Sequence, residues 1–455
     1  MRTTLDAVRT APGRVPIFGH LASLLVRPLP FVRSLPKYGD VVRIYFGGRP
    51  VYAVTSPALL RELVVVHAND CDKGSIFEEG KTYIGEGLIT SAGELHHQQR
   101  RMIQPGFNPP RVAEYVPSMR DAALGLSGEW HAGQPVELGR AMMRVAFRAI
   151  TGVMFSGALD PDAEERLVRS LRLLIRTSMV RALAPDFVRR LPLPMNRDFL
   201  PTAAGVHQII DELLRRCAAD PDRPPDLVHL MQTAEPGMNR QQQFDELVNI
   251  MVAGTETTGA ALAWTWYELA TRPEVGIRVY QEIDRVVGTR PVTAADLDAL
   301  EYSHRVLCEV LRQRSVWIST RRALRPLRLG EWAIPAGTEM AFSLYALHHD
   351  PALYPRPDEF DPDRWLPGVE KARPRGSFIP FLDGNRKCLG EWFAWTEMLV
   401  VLATIAARWR LRPAPGVTVH PVPLATIRPS RMTMLPEPRT GAGSARQERE
   451  QEVRL

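Results

Sequence analysis

The chain has 455 residues, 45% hydrophobic and 24% charged, which is the balance of a folded globular protein able to bury a large core and enclose a cofactor. Its formal charge of +6 comes from arginines spread along the chain, with no basic stripe interleaved with aromatics. That excludes nucleic acid as a partner and leaves a solvated basic surface or a face that docks an acidic protein.

Met1 to Leu21 carries Arg2, Asp6, Arg9 and Arg14 among several prolines, so neither a signal peptide nor membrane insertion is expected, and the expected location is cytoplasmic. Ala11 to His20 reads as extended coil. Two strands are predicted at Val41–Phe46 and Pro50–Thr55, with Gly47 and Gly48 turning the chain between them. Ser56-Pro57 reads as a helix start. From about Pro110 to Ala270 apolar residues recur at helical spacing. The longest helix is predicted from about Phe244 to Arg272, where Pro273 ends it, and its middle, Gly254-Thr-Glu-Thr-Thr-Gly259, is a poor helix former. A long buried helix with a weak polar centre marks a site. Strand signals return around Leu324 to Ala341, with a turn at Pro335-Ala-Gly337. A proline-rich stretch from Pro351 to Pro380 reads as ordered coil, and an apolar helix is predicted from about Leu389 to Arg408. Residues 440–455 are polar and expected to be a disordered tail, which leaves 1–439 as a single domain, mainly α with a smaller β-rich part.

Of the four cysteines, Cys71, Cys217, Cys308 and Cys388, no two are spaced for a zinc pair, and four do not make a disulfide framework. Cys388 stands apart because of its surroundings, Phe381-Leu-Asp-Gly384-Asn-Arg386-Lys-Cys388-Leu-Gly390. A cysteine thiolate is a strong axial donor to haem iron. Glycines at 384 and 390 would let backbone approach the metal and leave amides pointing at the sulfur. A helix starting just after the cysteine would stabilise the thiolate, and Arg386 could pair with a propionate. In the long helix, Ala253-Gly254-Thr255-Glu256-Thr257-Thr258 sets an acid beside an alcohol, the groups needed to deliver protons to bound dioxygen, while Gly254 would make room for that dioxygen. Glu309 and Arg312 share a helix face as an ion pair. His96 and Arg100 share another, within reach of a propionate.

These motifs, in this order, resemble the cytochrome P-450 superfamily from about residue 12 to 436. The resemblance implies haem b held between the long central helix and the cysteine loop, with Cys388 as the iron ligand. It implies Glu256 and Thr257 as catalytic groups, and His96, Arg100, Arg321 and Arg386 as propionate ligands. It also implies a structural lock of Glu309, Arg312 and Arg364, and makes His97 and Arg322 the lesser alternatives to His96 and Arg321. The chain departs from the family in carrying Gln313-Arg-Ser-Val316 where proline is common, and His96 where tryptophan is more usual. A haem-thiolate monooxygenase is therefore expected, using O2 and electrons from NAD(P)H through a ferredoxin and a ferredoxin reductase, and acting as a monomer.

Segments such as Ala11–His20, Leu193-Pro-Met-Asn-Arg197 and Ala406–Arg412 resemble actinomycete terpene-oxidising members. The expected substrate is accordingly a small apolar terpene of the sesquiterpene kind, in a pocket lined by residues such as Phe77, Val252, Ala253 and Ile318. A macrolide or a fatty acyl chain is the alternative substrate. A peroxide-dependent enzyme or a non-catalytic haem protein is the alternative class.

Overall fold

In the computed structural model, residues 3–156, 159–183, 191, 193, 197–220, 225–234 and 237–439 are described. The Leu193–Arg197 segment lies partly outside them, and the predicted tail at 440–455 lies wholly outside.

Helices make up most of the fold. Six of them frame the site: α1 (Ser75–Ile84), α2 (Gly93–Ile103), α3 (Leu138–Phe155), α4 (Arg240–Thr271), α5 (Glu301–Arg314) and α6 (Glu391–Ala406). α4 is the long helix of the sequence reading. It begins a turn earlier than the apolar periodicity suggests because Asn239 caps it reciprocally with Gln242, satisfying end amides that the polar run Arg240–Gln243 would otherwise expose. It ends before Pro273. At 32 residues it is about 48 Å long, and it is buried along most of its length in the main helical core, against α3 and residues of α6. Gly259 sets how closely α3 and α4 approach: a Cβ there would stand 2.9 Å from the Met143 backbone.

The β-rich part is a five-stranded sheet in the order β1 (Val41–Phe46), β2 (Arg49–Val54), β5 (Glu339–Phe342), β4 (Ser319–Ala323), β3 (Cys71–Asp72). β1 and β2 form the expected hairpin, Phe46 facing Arg49 across Gly47 and Gly48. β2 runs parallel to β5, and the other pairs are antiparallel. A further hairpin of β6 (Pro421–Pro423) and β7 (Ile427–Pro429) packs near α4. The strand signals of 324–341 resolve into shorter pieces, since the turn at Pro335–Gly337 divides Trp332–Ile334 from β5. The proline-rich stretch from 351 to 380 is coil interrupted by short helical turns at Pro362–Trp365 and Pro367–Lys371. Among the described residues, no helix is long and apolar enough to cross a membrane.

Candidate active site

Cys388 ends a tight loop whose shape is set locally. Its amide donates to the Phe381 carbonyl at 2.8 Å, closing the loop, and α6 starts three residues later, as expected. The Gly390 amide donates to the sulfur, while burial pushes the thiol up. Yet Cys388 is surface-accessible. A sulfur that is both desolvated and accessible faces an internal cavity. Gly384 has a packing reason besides the one expected of it: it has φ +73°, and a Cβ would lie 2.1 Å from the Val64 carbonyl oxygen, so it lets the loop press on the helical turn at Glu62–Val66.

Cations gather round this sulfur. Arg386 donates to the Ser91 carbonyl at 2.9 Å, and Arg100 to the Lys387 carbonyl at 2.8 Å. Arg321, on β4 and 1% exposed, donates to the Thr320 carbonyl at 2.7 Å and lies over Phe342. Lys73, which the sequence reading missed, follows β3 directly. Pairing of β3 with β4, and the Thr320 hydroxyl donating to the Lys73 carbonyl at 2.6 Å, bring it beside Arg321. His96 is buried on α2. Burial and mutual repulsion lower all of them: Lys73 to about 7, Arg321 and Arg386 to about 10, His96 to about 3, so the imidazole is neutral. The neighbouring carboxylate, Asp72, is already bound by Arg322, which leaves Arg321 as the free cation of the two. His97 is half-buried, edge-on to His96. His96 Nδ1, Arg321 Nη2 and the Ser91 hydroxyl are buried without hydrogen-bond partners. A concentration of desolvated positive charge without a matching anion is unfavourable alone. It fits a ligand carrying two carboxylates beside the thiolate, which is the donor set haem requires.

The loop from Gly85 to Ser91 is stitched to α4. The Glu86 amide donates to Asp245 (2.8 Å), Leu88 to Glu246 (3.1 Å) and Ile89 to Asn249 (3.0 Å), while Asn249 returns a bond to the Ile84 carbonyl (2.6 Å). Gly85 and Gly87 permit this, since a Cβ at either would run into Asp245 or Asn249. Lys73 reaches the Leu88 carbonyl, so the same loop steadies the cation cluster. Buried polar residues at 245, 246 and 249, set among the apolar Phe244, Leu247, Val248 and Ile250, were the available signal.

In the middle of α4, Ala253 and Thr257 are exposed, one turn apart, on a helix otherwise largely buried there. They therefore open onto interior space. The Thr257 hydroxyl donates to the Ala253 carbonyl at 2.7 Å, which leaves its lone pairs facing outward. Glu256 is 4% exposed. Gly254 has a packing reason besides the one expected of it: a Cβ there would lie 3.2 Å from Ile150 of α3. Of the expected pocket residues, Ala253 faces the interior space. Phe77 on α1 sits under the Lys73 ammonium, Val252 packs against the main core, and Ile318 packs among Val32, Leu35, Ile44 and Ala341 beside the sheet.

Glu309 and Arg312 are both fully buried and doubly bonded, at 2.9 and 2.7 Å. Arg364 approaches Glu309 at 3.4 Å and caps the carbonyls of Pro355 and Arg356. Glu309 also accepts from the Asp361 amide and from the Trp365 indole, an unforeseen fourth partner. Arg312 reaches the carbonyls of His348 and Glu359. The lock thus joins α5 to the coil that leads to the cysteine loop.

A sequence model described as Cytochrome P450 matches residues 10–439. Cyclooctat-9-en-7-ol 5-monooxygenase from Streptomyces melanosporofaciens is 38% identical over 94% of this chain and 95% of its own length. Pentalenene oxygenase from Streptomyces avermitilis is 31% identical over 92% of this chain and 94% of its own. The crystal structure of the cytochrome P450DA heme domain superposes with a TM-score of 0.85, at 25% identity, over 97% of this chain and 99% of that one.

Proposed function

The chain belongs to the cytochrome P450 family and is a haem- and O2-using monooxygenase; within that family we propose that it oxidises a C–H bond of a polycyclic terpene, with Cys388 as the iron ligand. The observation that carries the site is the ring of Lys73, Arg100, Arg321 and Arg386, with neutral His96, round a thiol that is desolvated yet accessible. These five residues would hold the two propionates of a bound haem, four by charge and His96 by a hydrogen bond. The Gly390 amide moderates the sulfur's donor strength. When bound, haem with a thiolate ligand supplies the oxidant that inserts one oxygen atom of O2 into substrate. Glu256 supplies protons and the Thr257 hydroxyl, bonded back to Ala253, accepts and passes them beside the cavity. The terpene reading rests on the activities named for two relatives that align over nearly the whole chain, and on the apolar Ala253 that faces the interior space. Electrons come from NAD(P)H through a ferredoxin and its reductase, docking on a basic face that includes Lys387.

Purified holoprotein, reduced under carbon monoxide, is expected to show the long-wavelength band of thiolate ligation, and Cys388→Ser is expected to lose it. Titration with terpene hydrocarbons and alcohols should then shift the spin state, followed by product analysis with a ferredoxin system. A macrolide or fatty acid that shifts it when no terpene does would overturn the substrate. Absence of the thiolate band in the native protein would overturn the site.

A further inference from the structure

Arginine is spread along the chain, but the net positive charge is not. Residues 7–61 carry eight Lys or Arg and one acid, Asp40, an excess larger than the +6 of the whole chain. The same span concentrates exposed apolar surface. Among the described residues, fourteen large hydrophobic side chains are exposed, and five of them fall between Val15 and Val26. Ile17 and Val26 are the most open of all, at 75% and 78%. The short helix Leu21–Val26 is apolar at every position but Ser23, a composition that belongs in a core or against lipid. Leu24 is buried with Leu29, Val32, Trp317 and Ile427, whereas Ala22, Leu25 and Val26 face outward. Ile17 is held out rather than left loose. Val15 and Gly19 exchange two backbone hydrogen bonds of 2.8 Å around it. His20 fixes the base of this turn, Nε2 donating to the Ala11 carbonyl at 3.0 Å and Nδ1 accepting from the Tyr45 amide at 2.9 Å. Ile17 itself has φ +67°, a left-handed conformation unfavourable for a β-branched residue, so an apolar tip is kept there against the local preference. Arginines rim the tip. Arg14 lies over the Tyr45 ring at 3.8 Å, and exposed Arg27 follows Val26 directly. Arg49, also exposed, starts β2 next to the turn where a Cβ on Gly47 would touch the Ile17 carbonyl at 3.6 Å.

We propose that Val15–Arg27 is a peripheral contact with an anionic phospholipid surface: Ile17, Phe18, Leu25 and Val26 enter the outer acyl region while Arg14, Arg27 and Arg49 bind the phosphates. This is contact and not insertion, since among the described residues no helix is long and apolar enough to cross a membrane. Water leaves the apolar side chains unpartnered, and a neutral bilayer gives the arginines no net charge to answer. An anionic bilayer satisfies both, because buried apolar area and attraction to charged headgroups add. Each guanidinium offers parallel donors that match a phosphate. No carboxylate lies between Asp6 and Asp40 to repel such a surface, and Arg33 in that stretch is already paired with Asp358. The consequence for the enzyme rests on the terpene reading above. A hydrocarbon substrate leaves water for the interior of a bilayer, so docking places the enzyme where its substrate is concentrated.

The test is vesicle sedimentation of the holoprotein without substrate. Vesicles of phosphatidylcholine alone are compared with vesicles containing about 30% phosphatidylglycerol. Binding to the anionic vesicles is expected to be about tenfold tighter or more, and to be lost in about 0.5 M NaCl. Ile17→Asn combined with Val26→Ser should weaken it about tenfold, and so should Arg14→Glu combined with Arg49→Glu. Asparagine tolerates the left-handed backbone at 17, so the first variant keeps the turn. Native melting temperature and haem content in solution check that each variant is folded. Equal binding to both vesicles, no binding to either, or native binding by both folded variants would overturn the contact. So would a dimer in sedimentation equilibrium that Ile17→Asn converts to monomer, since a second copy would then cover the patch. Substrate delivery is a separate arm. A terpene hydrocarbon presented in anionic vesicles should shift the spin state about tenfold faster in the native protein than in the Ile17 variant, and equally fast when presented in cyclodextrin. If vesicles bind as expected but no terpene shifts the spin state by either route, the docking stands and the terpene reading falls. If terpene shifts it from cyclodextrin while vesicles do not bind, the docking falls alone.

Discussion

At the scale of single residues, the site is a set of charges held where they do not want to be. Lys73 is the sharpest case, its ammonium brought down to about 7 by burial and by Arg386 and Arg321. Between pH 7 and 10.5 the unfolded chain holds a proton on this lysine that the folded chain has lost. Stability of the haem-free protein therefore rises with pH across that window. Lys73→Met should flatten this rise and raise the melting temperature of the haem-free protein at pH 7, yet speed haem loss about tenfold or more. Thermal unfolding from pH 6 to 10 and haem transfer to apomyoglobin measure the two effects. A variant that loses stability and retains haem would contradict the role. Arg321 and Arg386 share the logic, whereas His96, neutral below its usual range, contributes a hydrogen bond and no charge.

At the scale of elements, α4 does two jobs through different stretches. Its middle carries the acid and the alcohol; its first turns clamp the 85–91 loop through Asp245, Glu246 and Asn249. Burial pushes Glu246 up to about 8, so the folded protein keeps its proton while the unfolded chain loses it above about 4.5. Stability consequently falls as pH rises from about 4.5 to 8. Glu246→Gln keeps an oxygen for the Leu88 amide and removes the penalty, so it should stabilise the protein at pH 7 by about 1–3 kcal/mol and abolish that pH slope. Denaturant unfolding at pH 5 and pH 7.5 tests it; a variant equally destabilised at both would show that the carboxylate itself is needed.

At the scale of the whole molecule, the Glu309–Arg312–Arg364 lock ties α5 to the coil that delivers the cysteine loop. Buried ion pairs are poor stabilisers overall, but losing one partner strands the other's charge. Glu309→Ala should therefore cost about 3–5 kcal/mol, and haem content on purification should fall with it. Arg312→Leu together with Glu309→Leu should recover part of that loss, because Arg312 is then no longer a stranded buried charge, and Arg364 alone keeps only its carbonyl partners. A single Glu309→Ala variant with native unfolding midpoint and full haem content would remove the lock from the account. Both members of the i, i+3 pair were readable from sequence. Their complete burial and the Trp365 indole on Glu309 were not, since these depend on a segment more than fifty residues away.

The local motifs were determined by sequence alone. The cysteine loop, the acid–alcohol pair, the hairpin at Gly47–Gly48 and the extent of α4 to Pro273 are all specified within a dozen residues, because turns, caps and helical periodicity are short-range. Tertiary structure decided what those groups face. It put Lys73 beside Arg321 through the pairing of β3 with β4, gave Gly384 to the Val64 carbonyl, and turned Glu256 toward a cleft rather than toward Thr257's cavity. The reason is that charge, desolvation and access depend on which distant segments close around a side chain, and a linear sequence does not carry that neighbourhood.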